Sequence, residues 1–388
     1  MENKQGVKVL AAGAFLQLFL GIIYVWSVFV KPVSSFYSWD EAAVKLMASY
    51  MLSFFVVGIL VGGKLQMKIG SEKTVLLGGL MLALGMLASS FVTEGLVWIM
   101  YVTYGIVGGF GVGAGYNTII ASAQKWFPKK RGLATGISVC AFGFSTVLFA
   151  PLIEWLIGQY GVPNTFRILA AAFFLVVVAL FSFIKTPADS VTAASKAAAG
   201  RQYTVSEAVK TKEFYFITLS LMFATASYFI LNPSFKALGG LSPEMGTLLV
   251  MISGIANALG RLGIPLLSDK IGSENAVIVI SLATAICTVL VFFIPGVWVI
   301  ALVSVIAFSY GGLSGIFPVV TADYFGIKNV GTNYGAVMMG FAASALFFPM
   351  IMSTVKNDMA RFITLAIVAA ISALLMVLLM NSKKKEAK

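Results

Sequence analysis

One arginine lies deep inside a long apolar stretch of this chain. Arg261 stands eight residues before Asp269, the first carboxylate after the apolar run 245–266. At about 1.5 Å per helical residue, this spacing places Arg261 roughly 12 Å from the polar end of a helix. The planar fork of a guanidinium matches the two oxygens of a carboxylate, and a charge at such depth calls for a specific role. We therefore interpret Arg261 as a ligand for a carboxylate; the alternative is a structural arginine at the carbonyl end of a neighbouring helix.

The other residue types exclude most further chemistry. The chain has no histidine, and Cys140 and Cys287 lie far apart in apolar stretches, outside any CxxC spacing. A zinc site, a disulfide framework and a histidine base are therefore not expected. All 15 carboxylates fall in loops or near the ends of apolar runs, and no Walker-type phosphate loop occurs. We expect no enzyme activity, no metal and no cofactor.

Membrane-spanning helices must position Arg261, because the composition is that of an integral membrane protein. Hydrophobic residues make up 59% of the chain and charged residues 11%, with a mean hydropathy of +0.96; soluble domains carry roughly 25% charged residues. Continuous apolar runs of about 20 residues, enough to cross a bilayer as a helix, favour an all-α integral membrane fold over a β-barrel. Twelve such runs are predicted, at 9–30, 42–62, 74–93, 96–120, 133–155, 166–185, 214–233, 245–266, 275–294, 297–318, 332–355 and 362–380.

The distribution of basic residues predicts the orientation. If the N-terminus is inside, 20 of the 27 lysines and arginines fall in inner segments and six in outer segments. Since positive charge is retained on the cytoplasmic side, both termini are predicted to be cytoplasmic in a multi-pass protein of the cell inner (plasma) membrane. The same bias explains the net charge of +12 as topology and attraction to anionic lipid, and no nucleic-acid partner is expected.

The two halves of the chain repeat one another. The sequence KIGSE occurs at 68–72, after the second run, and again at 270–274, after the eighth. A polar stretch rich in alanine, serine and lysine separates the halves. The predicted organisation is a six-helix bundle at 1–185, a cytoplasmic linker at 186–212 with a short interfacial helix from Ser206, and a second six-helix bundle with a basic tail at 213–388.

Two six-helix repeats with basic loops after the second and eighth spans resemble the major facilitator superfamily. Its loop signature, G-x-L-x-D-R/K-x-G, is largely kept in both copies, but Met67 replaces the first acid and Pro265 replaces a glycine of the second copy. The resemblance implies that these loops control gating, with the acid bracing the two halves in the outward-facing state. The gating residues so implied are Gly63, Lys68, Gly70, Asp269, Lys270 and Gly272.

Further motifs are similar to those of the oxalate/formate antiporter family, the bacterial relative of the monocarboxylate transporters. They are GIIYVWSVF at 21–29, WFPKKRGLATG at 126–136, SDKIG at 268–272, DYFG at 323–326 and NYG at 333–335. Oxalate transporters of this family use two intramembrane cations, an arginine in the eighth helix and a lysine in the eleventh. The arginine matches Arg261, but Phe341 occupies the position of the lysine. Because a second buried carboxylate would lack an ion partner, we expect a monoanion such as lactate, pyruvate, formate or acetate.

The resemblance also implies supporting residues on the helices that line the cavity in this superfamily. The candidate substrate-binding residues besides Arg261 are Tyr24, Tyr116, Asn117, Tyr310, Asn257, Phe341 and Phe142. The tyrosine hydroxyls could donate to the substrate, although Tyr24 could instead join an interfacial aromatic belt. Asn117 could equally bond a neighbouring helix, and Asn257, one turn before Arg261, is expected to orient it. The two phenylalanines are candidate apolar walls, with ordinary packing as the alternative.

These observations predict a secondary active transporter of small organic anions. Its mechanism would be alternating access, with Arg261 binding the carboxylate near the middle of the bilayer. Proton-linked symport is the favoured coupling, with a proton as a possible co-substrate, and anion exchange is the alternative. A sensor that uses the fold without transport is a remote third reading. The expected partners are the carboxylate substrate and the lipid bilayer, and the expected state is a monomer.

Overall fold

A computed structural model describes residues 2–187 and 202–386. The described residues are 89% helical and contain no strand, so the all-α fold class is confirmed. The central part of the predicted linker, residues 188–201, lies outside the described residues. After it, the expected interfacial helix is present as one turn, with a capping box in which Thr204 and Glu207 bond each other's backbone N–H.

Fourteen α-helices follow one another in the described ranges. They are α1 (Glu2–Leu20), α2 (Trp26–Tyr37), α3 (Glu41–Ile69), α4 (Ser71–Ser89), α5 (Val97–Met100), α6 (Gly109–Trp126), α7 (Arg131–Leu180), α8 (Val205–Ala208), α9 (Lys212–Leu231), α10 (Pro243–Ile271), α11 (Ser273–Phe293), α12 (Trp298–Phe325), α13 (Val330–Thr354) and α14 (Asp358–Glu386). Three 3₁₀ segments, Gly21–Val25, Phe181–Phe183 and Asn232–Gly240, and one π-helical segment, Tyr101–Gly108, complete the helical structure.

The helices account for the predicted membrane crossings. Within the described part of the chain, 11 continuous helical segments are long and apolar enough to span a bilayer. One of them, Arg131–Phe183, has 53 residues and breaks at Gly161, where φ is 72° and ψ is 172°. At about 1.5 Å per residue it is more than twice as long as a roughly 30 Å hydrocarbon core requires. It therefore contains the fifth and sixth predicted spans, which gives the expected twelve.

Large apolar side chains cover much of the outer surface of these helices. Leu84, Leu175, Leu346 and Met350 are each more than half exposed. A protein surrounded by water rarely exposes so many large apolar groups, whereas a hydrocarbon environment makes them favourable. The apolar surface and the lengths of the helices therefore both indicate a membrane-spanning protein.

The chain forms two compact units, each with its own packing. The first contains the described residues of Met1–Pro128, Ala141–Gly200 and Ile327–Gly335. The second contains those of Lys129–Cys140, Arg201–Gly326 and Ala336–Lys388. The first turns of α7 and α13 therefore belong to a different unit from the rest of those helices. The contiguous division at the linker stays a prediction.

Glycines allow direct backbone contact between helices inside each unit. In the first unit α3 and α6 touch so closely that a Cβ atom on Gly113 would lie 2.0 Å from the carbonyl oxygen of Phe55. In the second unit a Cβ on Gly260 of α10 would lie 1.9 Å from the carbonyl oxygen of Phe308 in α12. No larger residue fits either position without separating the helices. The glycine-rich sequence of the fourth predicted span therefore serves packing.

Candidate functional site

The contact between α10 and α12 fixes the position of Arg261. A Cβ on Gly311 of α12 would lie 1.9 Å from the carbonyl oxygen of Asn257, and a Cβ on Gly315 would lie 2.8 Å from that of Arg261. The backbone of α10 is thus in close contact with α12 at two points, at Asn257 and, one turn later, at Arg261. The residue is only 4% exposed.

Asn257 orients the guanidinium from the same face of α10. Arg261 Nε donates to Asn257 Oδ1 at 3.0 Å, across the i, i+4 spacing noted in the sequence. The Asn257 amide in turn donates through Nδ2 to the hydroxyl of Tyr228 at 3.3 Å. A chain of polar contacts therefore runs from the arginine to α9.

Four aromatic rings from α9, α12 and α13 continue from this polar chain, and we call them the aromatic ladder. Tyr228 stacks on Tyr310 with ring centroids 3.8 Å apart and an interplanar angle of 7°. Phe229 meets Tyr310 edge to face at 5.7 Å and Phe341 at 5.1 Å. The structure thus links four of the predicted residues, Arg261, Asn257, Tyr310 and Phe341, in one part of the second unit. Tyr228 and Phe229 were missed, although a tyrosine inside the predicted apolar run 214–233 was a visible signal.

The first turns of α7 pack on α10 close to the arginine. Cys140 Sγ contacts the carbonyl oxygen of Ala258 at 3.6 Å. A Cβ on Gly136 would lie 3.4 Å from the carbonyl oxygen of Arg261. The second unit therefore surrounds the arginine with backbone from α7, α10 and α12.

The predicted residues of the first unit form a separate aromatic cluster centred on Phe142. Tyr24 meets Phe142 edge to face at 5.5 Å, and Tyr116 meets it at 4.7 Å. Phe55, which the sequence did not single out, contacts both Tyr116 and Phe142, at 5.3 and 6.0 Å. Gly21 permits this arrangement, because a Cβ there would lie 2.0 Å from the carbonyl oxygen of Phe142. Whether these tyrosines contact substrate stays a prediction.

Asn117 lies outside this cluster and joins backbone segments. Its Nδ2 donates to the carbonyl oxygens of Ile59 and Gly331 at 2.7 and 2.6 Å, and the residue is 1% exposed. Both amide hydrogens are therefore engaged with backbone oxygen. This geometry favours the alternative interpretation of Asn117, in which its side chain bonds a neighbouring helix.

The two copies of the gating loop share one backbone design. Gly70 ends α3 with φ 87° and Gly272 ends α10 with φ 88°, so each occupies the left-handed region that favours glycine. Lys68 and Lys270, two residues before each glycine, are exposed. The sequence repeat is thus also a repeat of structure.

The acid of the second loop caps the start of α7. Asp269 accepts the backbone N–H of Gly132 through Oδ1 and that of Leu133 through Oδ2, each at 2.9 Å. A carboxylate on the first amides of a helix satisfies unpaired donors and interacts favourably with the helix dipole. Asp269 therefore fixes the first turn of α7 within the second unit.

Two further charged features near the loops, one ion pair and one buried lysine, were not anticipated. Arg131 Nη2 pairs with Asp323 Oδ1, and Ser273 Oγ donates to Asp323 Oδ2 at 2.6 Å. Lys125, which lies between the predicted apolar runs 96–120 and 133–155, is only 9% exposed within α6. Both features depend on contacts between distant segments, which no local pattern records.

Twelve crossings, two matching loops and lipid-type surfaces define a multi-pass, all-helical membrane protein built from two repeats. Residues 10–349 match the family described as the Major Facilitator Superfamily, and the chain belongs to that superfamily. It is a transporter of this family and not an enzyme, as the sequence predicted.

Curated relatives narrow the comparison. The chain is 25% identical to the uncharacterized MFS-type transporter YhjX of Escherichia coli (strain K12), over 85% of this chain and 83% of that one. It is 24% identical to the oxalate:formate antiporter of Oxalobacter formigenes, over 84% and 79% of the two chains. Monocarboxylate transporter 13 of Bos taurus is 25% identical over 84% and 77%. The predicted family resemblance is therefore confirmed.

A solved structure supports the fold. The proton:xylose symporter XylE bound to 6-bromo-6-deoxy-D-glucose matches with a TM-score of 0.73 at 16% identity, over 97% of this chain and 96% of that one. At this identity the likeness shows the major facilitator fold alone.

Proposed function

We propose that this protein is a secondary active transporter of small monocarboxylates and that Arg261 binds the carboxylate of the substrate. The observation that carries the proposal is a 4% exposed arginine on α10, held by Asn257 and joined through Tyr228 to the aromatic ladder. An arginine inside a membrane span is costly, and in transporters such charges commonly mark the substrate path.

The chemistry of the guanidinium favours a carboxylate over a neutral solute. Hydrogen bonds to charged groups contribute about 1.5–3 kcal/mol each, and a carboxylate can accept two from one guanidinium. The hydrogen bond from Arg261 Nε to Asn257 holds the plane of the guanidinium in one orientation. The arginine side chain therefore loses less conformational freedom when an anion binds. Relatives named for oxalate, formate and monocarboxylates agree with this class of substrate.

The aromatic ladder favours one carboxylate rather than two. Phe341 and Phe229 present hydrocarbon surface, with ring centroids 5.1 Å apart. A second carboxylate at that surface would lose hydration without gaining an ion partner. The methyl end of lactate or pyruvate suits the same surface, so these anions fit better than oxalate.

We further propose proton-linked symport by alternating access in the plasma membrane, with both termini cytoplasmic and the protein acting as a monomer. The bias of lysine and arginine toward the inner segments supports this orientation. Anion exchange is the second candidate, because a relative over most of the chain is named an oxalate:formate antiporter.

Uptake by proteoliposomes tests the proposal. Labelled lactate is supplied outside, with lactate, oxalate or buffer inside, each with and without an inward proton gradient. Stimulation by the gradient into buffer-loaded vesicles is the expected result, whereas uptake that requires an internal anion would make the protein an exchanger. If internal oxalate stimulated lactate uptake as strongly as internal lactate does, the assignment to monocarboxylates would be contradicted.

Two arginine variants test the site itself. Arg261→Ala should lower the affinity for lactate at least about 100-fold, the equivalent of two charged hydrogen bonds. Arg167→Ala is the matched control, because Arg167 lies over the ring of Phe91 in the first unit and bonds Asn164. If Arg261→Ala transports lactate as well as the control does, Arg261 is not the carboxylate ligand.

A further inference from the structure

A basic cavity lies in the first unit where α1 begins and the second part of α7 ends. Its volume is about 450 Å³, and its lining includes Lys4, Lys8 and Lys185 together with Val9 and Phe183. The substrate site proposed above uses none of these residues. We propose that this cavity binds the headgroup of an anionic phospholipid, with an acyl chain lying along α1 and α7.

The spans themselves place the cavity at the membrane–water boundary. The predicted apolar run 9–30 begins directly after Lys8, and the predicted run 166–185 ends at Lys185. Both helices therefore change from hydrocarbon to water at the level of the three ammonium groups. Phospholipid phosphates occupy the same level, and basic pockets between helices at this depth suit anionic headgroups.

The cavity is built by specific contacts on both sides. Trp126 Nε1 donates to the carbonyl oxygen of Lys185 at 2.7 Å, and Ser71 Oγ bonds Thr186 Oγ1 at 2.8 Å. Trp126 also packs on α1, because a Cβ on Gly6 would lie 3.4 Å from its ring. One indole thus supports both walls, so that two lysines of α1 and one from the segment after α7 line the same space.

Exposed apolar side chains follow the lysines toward the centre of the membrane on both helices. Phe15 of α1 and Phe174 and Leu175 of α7 are each about half exposed or more. Phe15 lies seven residues after Lys8, about 10 Å further along the helix. This order, cations first and exposed hydrocarbon next, matches a phospholipid and not a small water-soluble anion.

One carboxylate competes with the lipid for the cavity. Glu72 Oε1 lies 3.9 Å from Lys185 Nζ, and both side chains are about half exposed. An exposed pair at this distance is weak, so a phosphate can displace it. Removing Glu72 should therefore strengthen lipid binding.

Native mass spectrometry of the delipidated full chain tests the proposal, with phosphatidylglycerol as the probe and phosphatidylcholine as the neutral comparison. Lys4→Gln, Lys8→Gln and Lys185→Gln together should weaken phosphatidylglycerol retention about 100-fold, at roughly fivefold per lysine. Replacing the same three lysines by arginine should preserve retention, and Glu72→Gln should raise it a few-fold.

A matched triple variant removes equal charge elsewhere: Lys64→Gln, Lys73→Gln and Lys210→Gln, all exposed lysines outside the cavity. If this control loses phosphatidylglycerol as strongly as the cavity variant does, binding is diffuse surface attraction and the proposal is overturned. Inorganic phosphate in millimolar excess is the second arm. Displacement of the lipid by phosphate would make the cavity a free-phosphate site and would also overturn the proposal.

Discussion

Replacing Asn257 by aspartate tests the role of Arg261 without changing the shape of the site. The amide oxygen of Asn257 already accepts from Arg261 Nε at 3.0 Å, and aspartate offers a carboxylate oxygen at the same place. Tyr228, now bonded to the amide nitrogen, can donate its hydroxyl to that carboxylate instead. The substitution therefore adds one negative charge beside the guanidinium while keeping the local contacts.

The expected effect follows from the distance. With a bond of 3.0 Å, the two charge centres lie about 4 Å apart, and an effective dielectric constant near 20 gives an interaction of about 4 kcal/mol. A substrate carboxylate would then meet a guanidinium that is already neutralised. We expect the affinity for lactate to fall up to about 1,000-fold, since each 1.4 kcal/mol is a factor of ten.

Asn257→Leu distinguishes anion binding from a purely structural role. Leucine removes the bond to Nε and adds no charge, so it disturbs the orientation of Arg261 without adding an anion that competes with the substrate. If Arg261 only supports the fold, aspartate is tolerated and leucine is the damaging change. If Arg261 binds the anion, aspartate is the more damaging of the two.

The assay combines transport and stability. The KM for lactate uptake into proteoliposomes is compared for Asn257→Asp, Asn257→Leu and the unchanged chain, and thermal unfolding in detergent is followed for each. Asn257→Asp should unfold no earlier than the unchanged chain, because its pair with Arg261 is stronger. Unaltered lactate transport by Asn257→Asp would refute the assignment of Arg261 as the carboxylate site.

Two other substitutions address substrate charge and the gating loop. Phe341→Lys adds a second cation, so in a counterflow assay oxalate should become an exchange substrate at the expense of lactate. Phe341→Met is the control and should still exclude oxalate in the same assay. Oxalate transport by both variants would contradict the role of Phe341. Asp269→Asn removes the charge and one of the two acceptors on the start of α7, a loss of about 1.5–3 kcal/mol. Hydrogen exchange at Gly132 or Leu133 should accelerate about 10- to 150-fold, and unchanged protection at both amides would show that the cap is not what holds this turn.

The number of crossings could be predicted because length and hydropathy determine it locally. The ends of the helices could not be predicted as well, because a helix does not stop where hydrocarbon does. α10 runs through Asp269 and Lys270 to Ile271, beyond the apolar run that ends at 266, until Gly272 adopts a φ of 88°. Hydropathy indicates whether a helix is surrounded by hydrocarbon or by water. The residue at which the helix ends is instead indicated by a glycine with a positive φ.

Within the candidate site, only the local part was predictable. The spacing of Asn257 and Arg261 places both on one helical face, and their bond follows from it. The stacking of Tyr228 on Tyr310 joins residues 82 positions apart in sequence on α9 and α12. Such a pair depends on how two helices pack against each other. The spacing of apolar residues along one helix does not determine that packing.

The two gating loops show how a repeat can keep its geometry and lose its charge. In the first unit a Cβ on Gly63 would lie 2.5 Å from Gly331, just as one on Gly132 would meet the backbone of α10 in the second. At the position of the acid, however, Met67 Sδ lies 3.9 Å from the hydroxyl of Thr332 at the start of α13. A thioether accepts a hydrogen bond only weakly and carries no charge for a helix N-terminus. Close backbone contact thus requires a glycine in each unit, Gly63 of the first loop and Gly132 of α7 facing the second loop. Only Asp269 adds an electrostatic restraint, so the first turn of α13 is held less strongly by its loop than the first turn of α7.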